Sequence, residues 1–99
     1  MNRCIIAPSA SRDLNAIADY FLEHNIEAGE QLLQEFNQKC QKLLQFPNLG
    51  KRYAQLREDL RGLPLDGYII FYRVQGNDVE ILRVGSGRQD LAALFEDDE

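Results

Sequence analysis

Residues 67–84 read GYIIFYRVQGNDVEILRV, and their pattern decides the fold. β-Branched and aromatic residues crowd positions 68–74 and 79–84, and between the two runs lies Gln75-Gly76-Asn77-Asp78, whose Gly-Asn centre suits a two-residue turn. Two such runs joined so tightly predict an antiparallel β-hairpin. With Gly76-Asn77 as the loop, strict alternation places Arg73 opposite Glu80, Phe71 opposite Leu82 and Ile69 opposite Val84 on one face. Tyr68, Ile70, Tyr72, Val79, Ile81 and Arg83 share the other. The first face is nearly pure hydrocarbon and is expected to receive the helices. The second keeps two phenols and a guanidinium, and is expected to stay partly uncovered as a partner-binding surface.

Upstream, the hydrophobic period changes from two to helical. RCIIAP (3–8) reads as a short first strand closed by Pro8, with Ser9 or Ser11 able to cap the helix that follows. In that helix Leu14, Ile17, Ala18, Phe21 and Leu22 form one apolar stripe. Asn25 is a candidate cap for a second helix, with Ala28, Leu32, Leu33, Phe36, Cys40, Leu43 and Leu44 on its inner side. So short a link predicts an antiparallel helical hairpin. FPNLG (46–50) ends the second helix, because Pro47 has no amide proton to donate and Gly50 allows a left-handed exit. LREDLRGLP (56–64) is expected to hold a further strand. RQDLAALFE (88–96) is expected to be a short terminal helix with Leu91, Leu94 and Phe95 facing inward. The fold class is therefore α+β: an N-terminal helical hairpin packed on a small, mostly antiparallel β-sheet, with a short C-terminal helix. Residues 1–95 form a single domain, and 96–99 (EDDE) form a solvated acidic tail.

Composition narrows the function. With 99 residues, 44% of them hydrophobic, the chain suffices for one core, and no apolar run approaches the length of a bilayer span. The apolar patch near the N-terminus is too short for a secretory leader, so a cytoplasmic protein that does not bind membranes is expected. Cys4, Cys40 and the single His24 lack metal-ligand spacing, and both cysteines read as reduced core thiols. A net charge of −5 opposes non-specific wrapping of nucleic acid. Within it, seven of the eleven basic residues (Lys51, Arg52, Arg57, Arg61, Arg73, Arg83 and Arg88) fall in the C-terminal half.

No Ser-His-Asp or Cys-His set is present, and Asp13, Asp19 and Glu23 read as solvated charges on a helix surface. GSGR (85–88) is as well explained by a turn as by phosphate binding. What remains is a constellation of arginines and tyrosines drawn from the sheet and its exits. Arg61, Arg73, Arg83 and Arg88, with Tyr68 and Tyr72, suit either anchorage of a protein partner or stabilisation of an RNA phosphate during cleavage. Arg73 has Glu80 as a neighbour. Arg83, set in the middle of an apolar strand, has none in this register and is expected to meet a partner's carboxylate.

Four segments taken in order, RDLNAIADYF (12–21), FPNLGKRY (46–53), LRGLPLDGYIIFYRV (60–74) and VEILRVGSGRQDLAALF (79–95), resemble the ParE branch of the RelE/ParE superfamily, the toxins of bacterial type II toxin-antitoxin modules. The similarity runs over nearly the whole chain. It implies the helical-hairpin-on-sheet fold and a cognate ParD-like antitoxin that wraps and neutralises the toxin. It also implies growth arrest by poisoning of DNA gyrase, through binding and without cofactor, metal or catalytic residues. DNA is then touched only through the antitoxin complex. Relatives in the RelE branch are ribosome-dependent mRNA endoribonucleases, which use lysines, arginines and a C-terminal tyrosine or histidine. Here no lysine follows Lys51, and the C-terminal segment offers Leu94 and Phe95. An endoribonuclease and an inactive antitoxin-binding module are the alternative readings. Where the family commonly continues with a His-Gly pair, this chain reads Gly85-Ser86-Gly87. The residues expected to meet antitoxin or target are Arg61, Tyr68, Tyr72, Ile81, Arg83 and Arg88.

Overall fold

The computed structural model describes residues 2–96, so the last three residues of the acidic tail lie outside it. The element order is β1 (Cys4–Ile6), α1 (Pro8–His24), α2 (Ile26–Gln45), β2 (Lys51–Arg52), β3 (Arg61–Leu65), β4 (Tyr68–Gln75), β5 (Asp78–Ser86) and α3 (Leu91–Leu94). Five strands form one sheet in the order β1-β5-β4-β3-β2, antiparallel except where β1 joins β5. The sequence expectation of a helical hairpin on a mostly antiparallel sheet with a closing helix holds.

Local chemistry explains the element boundaries. Pro8 both closes β1 and opens α1, since its fixed φ suits the first helical turn and its missing N–H is not needed there. The helix therefore starts ahead of the expected serine caps, and Ser9 Oγ instead accepts from Arg12 within the first turn. A single extended residue, Asn25, separates the two helices. Its N–H bonds Phe21 O of α1, while its Oδ1 accepts from Ala28 N of α2, so one residue terminates the first helix and caps the second. At the hairpin turn, Gly76 takes φ +64°, the left-handed conformation this tight loop requires, and Gln75 pairs with Asp78 as expected.

The helices cover the opposite sheet face from the one expected, and one local irregularity shifts β5 as well. Arg73↔Glu80 and Tyr72↔Ile81 follow strict alternation, but the next pair is Phe71↔Arg83, so Leu82 is an extra residue bulged out of β5. Beyond the bulge, Val84 lies opposite Ile70 and not Ile69. Val79, Ile81 and Val84 then join Ile70 and Tyr72 in the core shared with Ala10, Leu32, Phe36, Cys40 and Leu43 of the helices. The face with the two phenols is thus the helix-covered one. The face carrying Ile69, Phe71 and Leu82 is covered too. Residues 53–60 are successive turns and not the front of a strand, and they bring Tyr53, Leu56 and Leu60 over Phe71, where Leu94 and Phe95 close the cluster. Phe71 is fully buried, with edge-on contacts to Tyr53 and Phe95 at 5.2 and 5.3 Å. Its burial is worth about 2–3 kcal/mol, and each aromatic contact adds about 0.5–1.5 kcal/mol. Gly85 admits α3 to this face, since a Cβ there would stand 2.5 Å from Leu94 Cδ1.

Tyr72 joins the sheet to the end of α2. Its hydroxyl accepts from Gly50 N at 2.8 Å and donates to Pro47 O at 2.7 Å. Burial raises the phenol's pKa, against the opposing effects of the Gly50 amide and the Arg61 charge. Tyr72→Phe leaves the Gly50 amide and Pro47 carbonyl without this partner and is expected to cost about 1–3 kcal/mol in urea unfolding. Because the folded-state pKa is raised, this phenol's contribution is full below the unfolded pKa of about 10 and is lost as pH rises through the folded value. The Phe variant should therefore lose less stability than wild type over that alkaline range.

Candidate functional site

The six residues singled out from the sequence do not form one exposed patch. Arg61, Tyr72 and Ile81 lie in a row across β3, β4 and β5, but Tyr72 and Ile81 are fully buried beneath the helices. Neither side chain is open to a partner, because the helical hairpin packs on their face of the sheet and not on the Phe71 face. Arg61 is half-buried, and its Nη1 donates to Gly50 O at 2.8 Å and Asn48 O at 3.2 Å, holding the loop that follows α2. Tyr68, at the opposite end of β4, is half-buried against the helix-side core. Arg88 is exposed in the turn after β5. That turn is closed by its own side chains: Ser86 N donates to Gln89 Oε1 at 2.7 Å, and Arg88 N to Ser86 Oγ at 3.2 Å.

Arg83 meets its carboxylate inside the molecule, and the expected partner contact is corrected accordingly. Asp13 of α1 receives Arg83 Nε at 2.8 Å on Oδ2 and Nη2 at 3.0 Å on Oδ1, a bidentate pair, and Arg83 Nη1 also donates to Leu94 O. The side chains are only 19% and 16% exposed, so an unpartnered guanidinium here would cost several kcal/mol. Asp13 Oδ2 further accepts from Val84 N at 2.9 Å. This amide lies on the edge of β5 past the end of β1, whose last pair is Ile6↔Ile81, so the carboxylate also satisfies a backbone donor that the sheet leaves open. The expectation that Asp13 is a solvated charge is thereby corrected. The available signal was its spacing, four residues ahead of Ile17 and eight ahead of Phe21, on a row that faces the sheet.

Exposed apolar surface concentrates elsewhere, on the outer side of the helical hairpin. Leu22, Ile26 and Leu33 are 64%, 56% and 38% exposed, although Leu22 and Leu33 had been assigned to the core stripes. With Ala18, Phe21 and Gly29 they line a groove of about 140 Å³ between the two helices. Tyr20 adds a half-exposed ring beside it, stacked at 4.1 Å on the imidazole of His24. The hairpin has more apolar residues than the sheet can cover, and that surplus could have been counted from the sequence.

This architecture, a helical hairpin crossing one face of a five-stranded sheet with a short helix closing the other, is that of the RelE/ParE superfamily. Within it the chain belongs to the ParE toxin family: residues 4–91 match the family described as the ParE toxin of the parDE type II toxin-antitoxin system. It is 33% identical over 94 residues to Toxin ParE3 of Caulobacter vibrioides, covering 94% of each chain. A solved structure described as the chromosomal ParDE TA system from P. aeruginosa is similar to it with a TM-score of 0.73 at 25% identity, over 87% of this chain and 96% of that one.

Arg83→Ala strands the Asp13 carboxylate, with Val84 N as its remaining donor in this site. It is expected to destabilise the fold by about 2–4 kcal/mol in urea unfolding, the lower end reflecting the residual exposure of the pair. In a double-mutant cycle, Asp13→Leu with Arg83→Leu should cost clearly less than the sum of the single changes.

Proposed function

We propose that this ParE-type toxin arrests growth by binding DNA gyrase so that cleaved DNA accumulates, and that a ParD-like antitoxin neutralises it by laying an amphipathic segment into the groove between α1 and α2. The gyrase reading rests on the family resemblance and, within the chain, on what its C-terminal end offers chemically. Leu94 and Phe95 are both 8% exposed and carry no proton to give or take, and no lysine follows Lys51. His24, the single histidine, has Nδ1 at 2.7 Å from Tyr20 O on the outer end of α1, away from the arginines of the sheet. Arg83 is committed to Asp13, and Arg61 is tied to the loop after α2. Action by surface contact fits these residues better than strand cleavage, which needs an acid and a base at the scissile phosphate.

The antitoxin-binding reading rests on the groove. Leu22 and Ile26 stand more than half exposed beside it, and an amphipathic helix presenting apolar residues at helical spacing is the partner such a surface suits. Arg88 and Tyr68 stay in the proposal as polar contacts at the end of the sheet where β4 begins and β5 ends, available to a chain that continues around the toxin.

Mixing the antitoxin-free protein with gyrase, ATP and supercoiled plasmid should yield linear DNA, above a gyrase-only control, after detergent and protease treatment. No linear DNA from protein that still arrests growth would transfer the assignment to mRNA cleavage on the ribosome. For the antitoxin, Leu22→Asp is expected to weaken binding at least about tenfold by calorimetry, equivalent to about 1.4 kcal/mol, with the thermal midpoint of the free toxin unchanged.

A further inference from the structure

Charge is sorted along the helical hairpin. Residues 13–35 hold six acidic residues (Asp13, Asp19, Glu23, Glu27, Glu30 and Glu35) and no lysine or arginine. Residues 36–57 hold five basic residues (Lys39, Lys42, Lys51, Arg52 and Arg57), every lysine of the chain among them, and no aspartate or glutamate. In the fold the first stretch takes in most of α1 and the first half of α2, around the groove, and the second runs from the latter half of α2 through β2. The 20 residues of α2 span about 30 Å, so the acidic and basic ends stand roughly a helix length apart. The basic end is apolar as well. Phe46 and Leu49, in the loop after α2, are 57% and 45% exposed. Leu49 N donates to Phe46 O at 3.1 Å, Phe46 N donates to Lys42 O at 2.8 Å, and Arg61 holds the same loop through Asn48 O and Gly50 O. β2, the outer strand, sets the exposed Arg52 directly opposite Arg61, with the exposed Lys51 beside it. Like charges in that register weaken a sheet, so folding gains nothing from them. Arg3, Arg73 and Arg83 each have a carboxylate, whereas among the described residues none pairs with Lys42, Lys51, Arg52 or Arg61.

We propose that this basic, apolar pole, formed by Lys42, Phe46, Leu49, Lys51 and Arg52, is the surface through which the toxin engages its target, and that the target presents there an acidic protein surface carrying apolar side chains. Charge complementarity sets the sign of the partner, and it also separates this surface from the groove. A segment that pairs with Lys51 and Arg52 is repelled by Glu27 and Glu30 at the groove, so one set of contacts does not serve both ends. The exposed apolar residues favour protein over nucleic acid. A duplex backbone satisfies the cations but leaves Phe46 and Leu49 against phosphate and sugar, whereas a protein surface can bury them at the centre of a contact with the charges at its rim. Edge position suits the role, because Lys51 and Arg52 lie on a two-residue strand whose replacement by other residues leaves both cores untouched. This assignment rests on the chain acting as a toxin, and not on gyrase being the target.

The test reverses both outer charges of the full-length chain, Lys51→Glu with Arg52→Glu, and separately removes the exposed ring with Phe46→Ser. Circular dichroism and the thermal midpoint check that each variant is folded. Expressed without antitoxin, each should need at least about tenfold more protein than wild type to arrest growth, while calorimetry with the antitoxin shows an affinity within about threefold of wild type. Folded variants that arrest growth at the wild-type level would overturn the proposal. So would a fall in antitoxin affinity as large as the fall in toxicity, which would assign the pole to the antitoxin. Growth arrest is read whatever the target is, so failure of this surface and failure of the gyrase assignment show in different experiments. The class of partner is tested by gel retardation of duplex DNA and single-stranded RNA at about 0.15 M salt. Neither probe should be retarded, and retardation by wild type that the charge reversal abolishes would overturn the choice of a protein partner. In the mixture with gyrase, a water-soluble carbodiimide, which joins amines to carboxylates in contact, should couple the toxin through Lys42 or Lys51. Coupling through the N-terminal amine alone would count against the pole.

Discussion

The Asp13 carboxylate is the constraint on which the arrangement of helix and sheet depends. It binds Arg83 through two oxygens and takes the Val84 amide on one of them, so a single side chain of α1 fixes both a side chain and the backbone of β5. Arg83 in turn reaches Leu94 O, which brings α3 into the same network. Hydrophobic packing holds the layers together but is indifferent to small slides of one against the other. Directional bonds from one carboxylate to a guanidinium and an amide remove that freedom. The clamp sits one residue beyond Leu82, where the β5 register changes and where alternation alone would leave the strand least defined.

The bulge and the clamp together account for two cores in so short a chain. The one-residue shift beyond Leu82 lets Val84 join Val79 and Ile81 in facing the helices, while Leu82 stays with Phe71 on the far side. Each face then meets a cover of suitable size: two long helices on one, and the 53–60 turns with α3 on the other. Among the described residues no buried side-chain polar atom lacks a partner, so the polar groups that enter the core, the Tyr72 hydroxyl foremost, do so with their hydrogen bonds made.

Most of the architecture was legible in the sequence because it rests on periodicity and punctuation. Pro8, Asn25, Pro47 and Gly76-Asn77 mark the ends of elements through local chemistry, and the change of period from helical to alternating separates hairpin from sheet. Which face the helices cover was not legible, because both faces of the hairpin bury apolar residues, and the bulge that carries Val84 to the helix side leaves no mark on composition. The candidate site suffered most from this. Tyr72, Ile81 and Arg83 were chosen as residues of an open face, and two prove to be core while the third is clamped. Arg61, Tyr68 and Arg88 keep at least partial exposure. The apolar groove on the hairpin was hidden by the habit of assigning every apolar residue of an amphipathic helix to the interior. Of the stretch 56–64 expected to hold a strand, 61–64 is strand and 56–60 is not, because Leu56 and Leu60, which pack over Phe71 from a series of turns, look the same in a row of letters as the leucines of a strand.

Both margins of the sheet are very short: β1 contributes three residues at one side and β2 two at the other, and the stretch of β5 that would extend the first margin has its Val84 amide taken by Asp13. A strand added at either margin could make only two or three main-chain hydrogen bonds, worth roughly 1–4 kcal/mol net, whereas nanomolar binding requires about 12 kcal/mol. The molecule is thus a poor template for its own polymerisation, even with Ile5 and Ile6 exposed on the outer strand. By the same arithmetic, a partner that holds it tightly must draw most of its affinity from side chains, and recognition is then written in sequence more than in backbone shape.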